Sequence, residues 1–159
     1  MDRILLRDDI VDQQIKNVWV TPMKAFPTDG WKVSFPFFYT NFGYVELKTG
    51  VIFQIFNHEM DLTLPPIPIM ECRDKMFAIE GIYEWEEAGL CRNKRIVDVQ
   101  VSDMINSFSL FLEDRKILCN TDNWGNTYAT MLVDISSKEQ YDSYEFTDFW
   151  KQTPATYPY

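Results

Sequence analysis

Hydrophobic and polar positions alternate through the middle of the chain, which predicts β-strands. The clearest case is RIVDVQVSD, where Ile96, Asp98 and Gln100 alternate with valines. Successive side chains of a strand point to opposite faces, so this segment has one buried and one wetter face. A strand is also predicted for WKVSFPFFY, at 31–39, with Pro36 favouring an edge or a bulge because proline cannot donate to a ladder.

Turn residues between such runs predict two hairpins. In YVELKTGVIFQIFN, strands at about 44–47 and 51–56 flank the turn KTG. In SFSLFLEDRKILCN, the residues EDR make the second turn, and TYATMLVDI predicts a further strand after it.

Helical spacing is found near both ends of the chain. Between Asp8 and Val18, apolar residues recur at helical offsets, and the acidic start suits a helix N-terminus. Near the other end, Ser136 and Glu139 fit a capping box, so SSKEQYDSYEFTDFWKQ predicts a helix over 136–152.

Two stretches between these elements have less regular patterns. KMFAIEGIYEWEEAG keeps no single period; it predicts a strand over 76–84, while Glu86 to Gly89 leave a short helix open. The prolines of LPPIPIM, at 64–70, predict a rigid extended connection.

Together these elements predict an α+β fold: a curved antiparallel sheet of about six or seven strands, with a helix near each terminus. No internal repeat or Gly/Ser-rich linker interrupts the 159 residues. That length is ordinary for one domain, so we expect a single domain spanning 1–159.

Charge narrows the choice of partner. The chain has a formal net charge of -9 at pH 7, and 16% of its residues are aromatic. Nucleic acids and anionic lipid headgroups attract positive charge, so we expect neither a nucleic-acid nor a membrane partner. An acidic surface suits a basic protein partner, because complementary fields speed association, although acidity also serves solubility alone.

Cysteine usage and the first residues indicate the compartment. Cys72, Cys91 and Cys119 form no C-x-x-C pair, and their odd number leaves at least one free thiol. MDRILLRDDIVDQQ lacks the apolar stretch of a signal peptide, and no apolar run reaches transmembrane length. These features predict a cytoplasmic protein.

No motif for catalysis or metal binding is present in the sequence. The only histidine, His58, lies in HEMDL, which lacks the second histidine of a zincin. The glycines are isolated, and a calcium loop beginning at Asn120 is broken by Trp124 and Met131 at ligand positions. The sequence therefore predicts no catalytic residue, no cofactor and no metal site.

Carboxylates and aromatic rings occur together in three places: EGIYEWEE, TDNWGN and the predicted C-terminal helix. Rings of this kind anchor interfaces, and surrounding carboxylates suit a basic partner; the alternative is rings packed on the sheet and acids merely solvated. The residues predicted to bind a partner are Glu84, Trp85, Glu86, Glu87, Asp122, Trp124, Glu139, Asp142, Tyr144, Glu145, Asp148 and Trp150.

Trp124 has two interpretations of its own. It lies among turn-forming residues in CNTDNWGN, where a large apolar side chain is unusual. An exposed indole is unfavourable by roughly 25 cal/mol per Å² of apolar surface. Trp124 therefore either covers the protein's own core or anchors a partner.

A compact, acidic, aromatic-rich chain carrying the hairpin SFSLFLEDRKILCNTDN resembles the small immunity proteins of bacteria, which neutralise cationic toxin domains of contact-dependent or polymorphic secretion systems. The likeness concerns composition and general architecture and transfers no residue roles. It implies a non-enzymatic inhibitor that occludes a basic active site, often that of a nuclease. Two other classes stay open: a β-barrel carrier with aromatic residues around a small ligand, and an enzyme using clustered acids.

Overall fold

The computed structural model of the protein describes residues 3–27, 37–55, 68–102, 105–122, 127–134 and 147–152. Its helices are α1 (Arg7–Ile10), α2 (Arg73–Phe77) and α3 (Phe149–Gln152), with a 3₁₀ turn at Ala88–Leu90. Its strands are β1 (Ile15–Val20), β2 (Lys24–Pro27), β3 (Phe37–Thr40), β4 (Gly43–Leu47), β5 (Ile52–Gln54), β6 (Tyr83–Glu84), β7 (Ile96–Ser102), β8 (Ile105–Leu112), β9 (Lys116–Asp122), β10 (Thr127–Asp134) and β11 (Thr147–Asp148).

The described strands form a four-stranded sheet of order β5-β4-β1-β6 and a seven-stranded sheet of order β11-β7-β8-β9-β10-β3-β2. Neighbouring strands are antiparallel, except that β3 and β10 are parallel. The prediction of an antiparallel α+β fold with a helix near each terminus is confirmed at this level. The strands divide between separate sheets, however, instead of forming the single sheet expected. Alternation identifies strands, but it does not say which strands pair.

Both predicted hairpins are present. Strands β4 and β5 pair across the predicted turn, where Gly50 has a φ of 92°, a left-handed conformation that glycine adopts without strain. Strands β8 and β9 pair across Glu113 to Arg115. The strands predicted from RIVDVQVSD, at 95–103, and from TYATMLVDI, at 127–135, also form in their described parts, as β7 and β10.

The predicted N-terminal helix over 8–18 is wrong beyond its first turn. Helix α1 ends at Ile10, because Val11 is extended and Asp12 has a φ of 70°. The chain then enters β1, in which Val18 and Val20 are fully buried and Trp19 between them is not. The spacing of Ile15 and Val18 is helical, and a β-bulge between Ile15 and Asn17 lets the strand bury both when it pairs with β4 and β6.

The predicted strand over 76–84 is also wrong in its first part. Met76 and Phe77 lie in α2, with Met76 buried and Phe77 exposed, and only Tyr83–Glu84 pair as a strand. The short helix left open at 86–89 corresponds to the 3₁₀ turn. Helix α2 has 5 residues, too few for the apolar positions to recur with a helical period, so the sequence pattern did not predict this helix.

The C-terminal helix predicted over 136–152 does not run unbroken through the described residues 147–152. Residues 135–146 lie outside the described part of the chain. Thr147 and Asp148 form β11 against β7, and α3 begins only at Phe149. The Asp148 carboxylate accepts a hydrogen bond from the Trp150 backbone N–H at 2.9 Å, as a helix N-cap does. Residues 31–36 and 64–67, predicted as part of a strand and of an extended connection, also lie outside the described residues.

The main core joins side chains of both sheets. Its buried members include Val18, Val45, Val99, Leu110 and Phe149. A second cluster lies on the other face of the four-stranded sheet under α2, and a third surrounds Phe111, Ile117 and Cys119 of the seven-stranded sheet. The two sheets are therefore held by a shared apolar interior.

A buried polar junction links the sheets where the chain passes from β3 to β4. The Asn41 side-chain Oδ1 accepts a hydrogen bond from the Thr130 N–H at 3.1 Å, and Asn120 Nδ2 donates to the Asn41 carbonyl at 2.8 Å. At Gly43, a Cβ atom would lie 2.4 Å from Thr130 Oγ1 and 2.7 Å from Ile55 Cδ1. The sheets approach so closely here that glycine is the residue that fits without displacing its neighbours.

The N-terminal segment is fastened by Asp9. Its carboxylate accepts a 2.8 Å hydrogen bond from the Leu6 N–H and lies 3.1 Å from Arg3 Nη1. Burial alone raises the pKa of Asp9, but the bond from Leu6 and the Arg3 guanidinium outweigh it, so this pKa is lowered. Arg3 also reaches Glu71, which ties α1 to the residues before α2.

We expect Asp9→Asn to lower the free energy of unfolding at pH 7 by about 1 kcal/mol, because a partly exposed capping carboxylate is lost. A carboxyl whose pKa is lowered by folding stabilises the fold above its unfolded pKa. That stabilisation disappears as the pH falls through the folded pKa. Urea unfolding should thus show the two proteins converging below about pH 4.

Asp8→Asn is the matched control, since the Asp8 side chain is 100% exposed and lies 3.9 Å from Arg7 in the same helical turn. Its effect on the free energy of unfolding should be smaller than that of Asp9→Asn at pH 7. Equal, pH-independent losses in both variants would contradict the role given to Asp9.

Candidate functional site

The outer face of the four-stranded sheet carries an aromatic group beside β6. The Trp19 indole Nε1 donates to Glu46 Oε1 at 3.2 Å, and Lys16 Nζ lies 3.5 Å from the other Glu46 oxygen. The Phe77 ring meets Trp19 edge to face, with centroids 6.2 Å apart, and remains 51% exposed. The Arg73 guanidinium lies 5.8 Å from the Phe77 centroid, a cation–π distance. Trp19 is thus fixed in place, whereas Phe77 presents much of its ring to solvent.

Strand β6 borders this group and ends the sheet in the described part of the chain. Glu84 pairs with Trp19 in register, and Tyr83 pairs with Val20. The Tyr83 side chain is 44% exposed. The turn before β6 uses Gly81 at a φ of 79°, so β6 follows α2 closely.

Free negative charge collects on the same segment. Asp74, Glu80, Glu86 and Glu87 are exposed, and none makes an ion pair or side-chain hydrogen bond with the residues described. Glu84, by contrast, pairs with Arg92, whose guanidinium also donates to Asn17 Oδ1. Other described carboxylates are engaged, as Asp12 and Glu113 are with Arg95 and Asp114 is with Lys94. We call residues 74–90 the acidic-aromatic segment.

Four of the predicted partner-binding residues, Glu84, Trp85, Glu86 and Glu87, lie in this segment. Glu86 and Glu87 are exposed, as an interface requires. Trp85 is half-buried and packs against the main core, and its backbone N–H donates to the Val18 carbonyl at 2.9 Å. Trp85 therefore anchors the segment and offers only part of its ring to a partner.

Asp148 and Trp150 lie on β11 and α3, at the edge of the other sheet. Asp148 caps α3, while Trp150 is half-buried against the main core and meets Phe149 edge to face at 4.8 Å. The buried Trp150 Nε1 has no hydrogen-bond partner among the described residues. No hydrogen bond, ion pair or ring contact in the described part of the chain joins these two residues to the acidic-aromatic segment.

The remaining predicted residues fall partly or wholly outside the structure's description. Only the backbone of Asp122 is described, at the end of β9. Outside the described residues lie Trp124, Glu139, Asp142, Tyr144 and Glu145, and also His58. The two interpretations of Trp124 therefore both stand.

Sequence reasoning missed the contributions of Asp74, Phe77 and Trp19. A strand over 76–84 placed Phe77 in a ladder, and a helix over 8–18 ended just before Trp19. The available signal was the density of acids between Asp74 and Glu87, which extends the EGIYEWEE patch towards the N-terminus.

The three cysteines are buried free thiols. Burial raises the pKa of Cys119 to about 12; burial, together with the negative charges of Asp114 and Glu87, raises that of Cys91 to about 12. A thiol must ionise to act as a nucleophile, so these two are unreactive at neutral pH. Within the described ranges, no three His, Cys, Asp or Glu side chains are grouped to bind a metal ion. The helices that the structure describes are all too short to span a membrane.

Comparison with known proteins assigns no family: the chain matches no protein-family model, no curated protein and no solved structure.

Proposed function

We propose that this protein is a non-enzymatic binding protein that occludes a cationic protein through its acidic-aromatic segment. One observation carries the proposal: the exposed, unpaired carboxylates of the described side chains occur on the segment that also exposes Phe77 and Tyr83. Rings and charges together make an interface, whereas either alone is ordinary on a protein surface.

The two features have separate physical roles in such an interface. Phe77 and Tyr83 supply apolar area and planar surfaces, and such aromatic anchors carry much of the energy of binding. Asp74, Glu80, Glu86 and Glu87 attract a basic partner over a distance and reject acidic competitors. The net charge of -9 reinforces the attraction.

The proposal extends to an immunity protein of bacterial type, acting in the cytoplasm on a toxin such as a nuclease. An enzyme that binds nucleic acid presents a basic active site, and a carboxylate-rich surface imitates the charge of its substrate. Inhibition then needs no covalent chemistry, which agrees with the absence of a catalytic motif in the sequence.

The test is to produce the protein together with the product of the neighbouring reading frame and to measure complex formation and protection from toxicity. We expect a tight complex whose association rate falls steeply with added salt, because ions screen the long-range attraction. A neighbour that is not toxic and does not bind would overturn the immunity proposal. A complex whose association rate does not change with salt concentration would overturn the proposal that electrostatic attraction drives binding.

Charge reversal locates the interface. The double variant Glu86→Lys with Glu87→Lys should slow association about tenfold at low salt, because it replaces attraction by repulsion at the rim. Stopped-flow measurements of the association rate provide the readout, with thermal unfolding as the check that the variant folds.

Two comparison variants make the result specific. Asp8→Lys reverses one exposed charge on α1, outside the segment, and should slow association less than Glu86→Lys or Glu87→Lys alone. The double variant Asp142→Lys with Glu145→Lys tests the predicted C-terminal patch. If only this last variant slows association, the acidic-aromatic segment is not the interface.

A further inference from the structure

Strand β6 has one edge that faces away from β1, and the backbone N–H and carbonyl of Glu84 lie on this edge. The Trp85 N–H donates to Val18 of β1, and successive amides of a strand point to opposite edges. The Glu84 N–H and carbonyl therefore face away from β1. In the described chain, β1 is the neighbour of β6 on one side and no strand lies on the other.

An exposed strand edge is a template for another chain, because its amides and carbonyls can continue the ladder. The side chains that flank β6 determine which kind of strand can pair with the edge that faces away from β1. Glu80 precedes the strand and Glu86 and Glu87 follow it, all exposed and without an ion pair among the described residues, while Tyr83 exposes its ring on the strand.

This combination fits one occupant: an extended segment rich in lysine or arginine. Its backbone would pair with Glu84, and its side chains would reach the carboxylates on either side. A second copy of this chain is a poor occupant, because antiparallel pairing of two β6 edges would place like charges beside each other.

We propose that the cationic partner adds a basic strand to the edge of β6, with the Glu84 backbone as the pairing point. This proposal rests on the proposed function and specifies its mode of recognition. The main chain supplies the register and the carboxylates select basic side chains. Tyr83 and Phe77 present their rings on opposite faces of the sheet beside this edge.

A peptide probe separates backbone pairing from charge attraction. A short peptide of alternating lysine and valine is titrated into the full chain at low salt, beside a counterpart of the same charge whose backbone amides are N-methylated. We expect the N-methylated peptide to bind about tenfold more weakly, because it cannot donate to the edge. Hydrogen exchange of the Glu84 amide should slow about tenfold with the unmodified peptide.

Variants at the pairing point provide the second arm. Glu84→Pro removes the outward N–H and spares the bond from Trp85 to Val18, which an edge strand tolerates. Glu84→Ala is its matched control, since both variants lose the carboxylate and the pair with Arg92. We expect Glu84→Pro to bind the peptide about tenfold more weakly than Glu84→Ala, with both folded by circular dichroism.

The outcomes are distinct. If both peptides bind equally and the two variants behave alike, strand addition is overturned, while a charge-driven interface remains. If neither peptide binds at low salt, strand addition is likewise overturned, and the salt dependence of the complex with the neighbouring product decides the proposed function separately. Preferential binding of the unmodified peptide, lost in Glu84→Pro alone, supports the proposal.

Discussion

Val99→Asp is expected to leave the protein unfolded at neutral pH. Val99 is 0% exposed, lies in the middle of β7 opposite Leu110, and belongs to the core shared by both sheets. Burying an unpaired carboxylate there costs several kcal/mol, a large part of the roughly 5–15 kcal/mol by which domains are stable. Circular dichroism and the dispersion of amide resonances report the loss of structure.

Val99→Asn is the control of similar size and without charge, and we expect it to retain at least about 2 kcal/mol more stability than Val99→Asp. The aspartate variant should recover as the pH is lowered. A buried carboxyl has its pKa raised by folding, so the penalty is full above the folded pKa and vanishes below the unfolded value near about 4. If the Val99→Asp protein is folded and its stability does not depend on pH, position 99 is accessible to water.

Asn120→Asp should lower the free energy of unfolding by about 3–5 kcal/mol, because it buries a carboxylate and removes the donor to the Asn41 carbonyl. Asn120 is 0% exposed, and its Nδ2 donates to the Asn41 carbonyl at 2.8 Å. The substitution replaces this donor by an acceptor, so two oxygens face each other at the junction of the sheets. Urea unfolding monitored by tryptophan fluorescence provides the measurement.

Asn120→Leu separates the charge from the lost hydrogen bond. It removes the donor without adding charge, and we expect a smaller loss of about 1–3 kcal/mol. Stability should therefore decrease from wild type to leucine to aspartate. If the leucine variant is less stable than the aspartate variant, the polar junction does not hold the sheets as described.

Local signals were sufficient for the hairpins and for β7. The turn around Gly50 needs only a residue that accepts a positive φ, and such chemistry is visible in a few consecutive letters. The hairpins and β7 depend on neighbours in sequence, so they were correctly located. The partner-binding role of the acids and rings of EGIYEWEE stays a prediction.

The assignments at 8–18 and 76–84 failed because a short apolar pattern does not decide the secondary structure. Ile15 and Val18 have a helical spacing, and both are buried in the strand only because a β-bulge shifts its register. The choice of a strand falls to β4 and β6, which pair with it from far along the chain. The sequence also did not show which contact each carboxylate makes. Asp148 caps a helix and Glu84 pairs with Arg92, whereas Glu86 and Glu87 remain unpaired in the described structure.

The sequence by itself determined the acidic, ring-rich character of the protein, its antiparallel hairpins and the patch that became the candidate site. Only the tertiary structure decided that the described strands divide between two sheets, that Asn41 and Gly43 join them, and which of the described carboxylates form ion pairs. The physical reason is the separation in sequence of the residues that interact. Turns depend on residues next to each other in the chain. Strand pairing, burial and ion pairs are set by residues that meet only after the chain has folded.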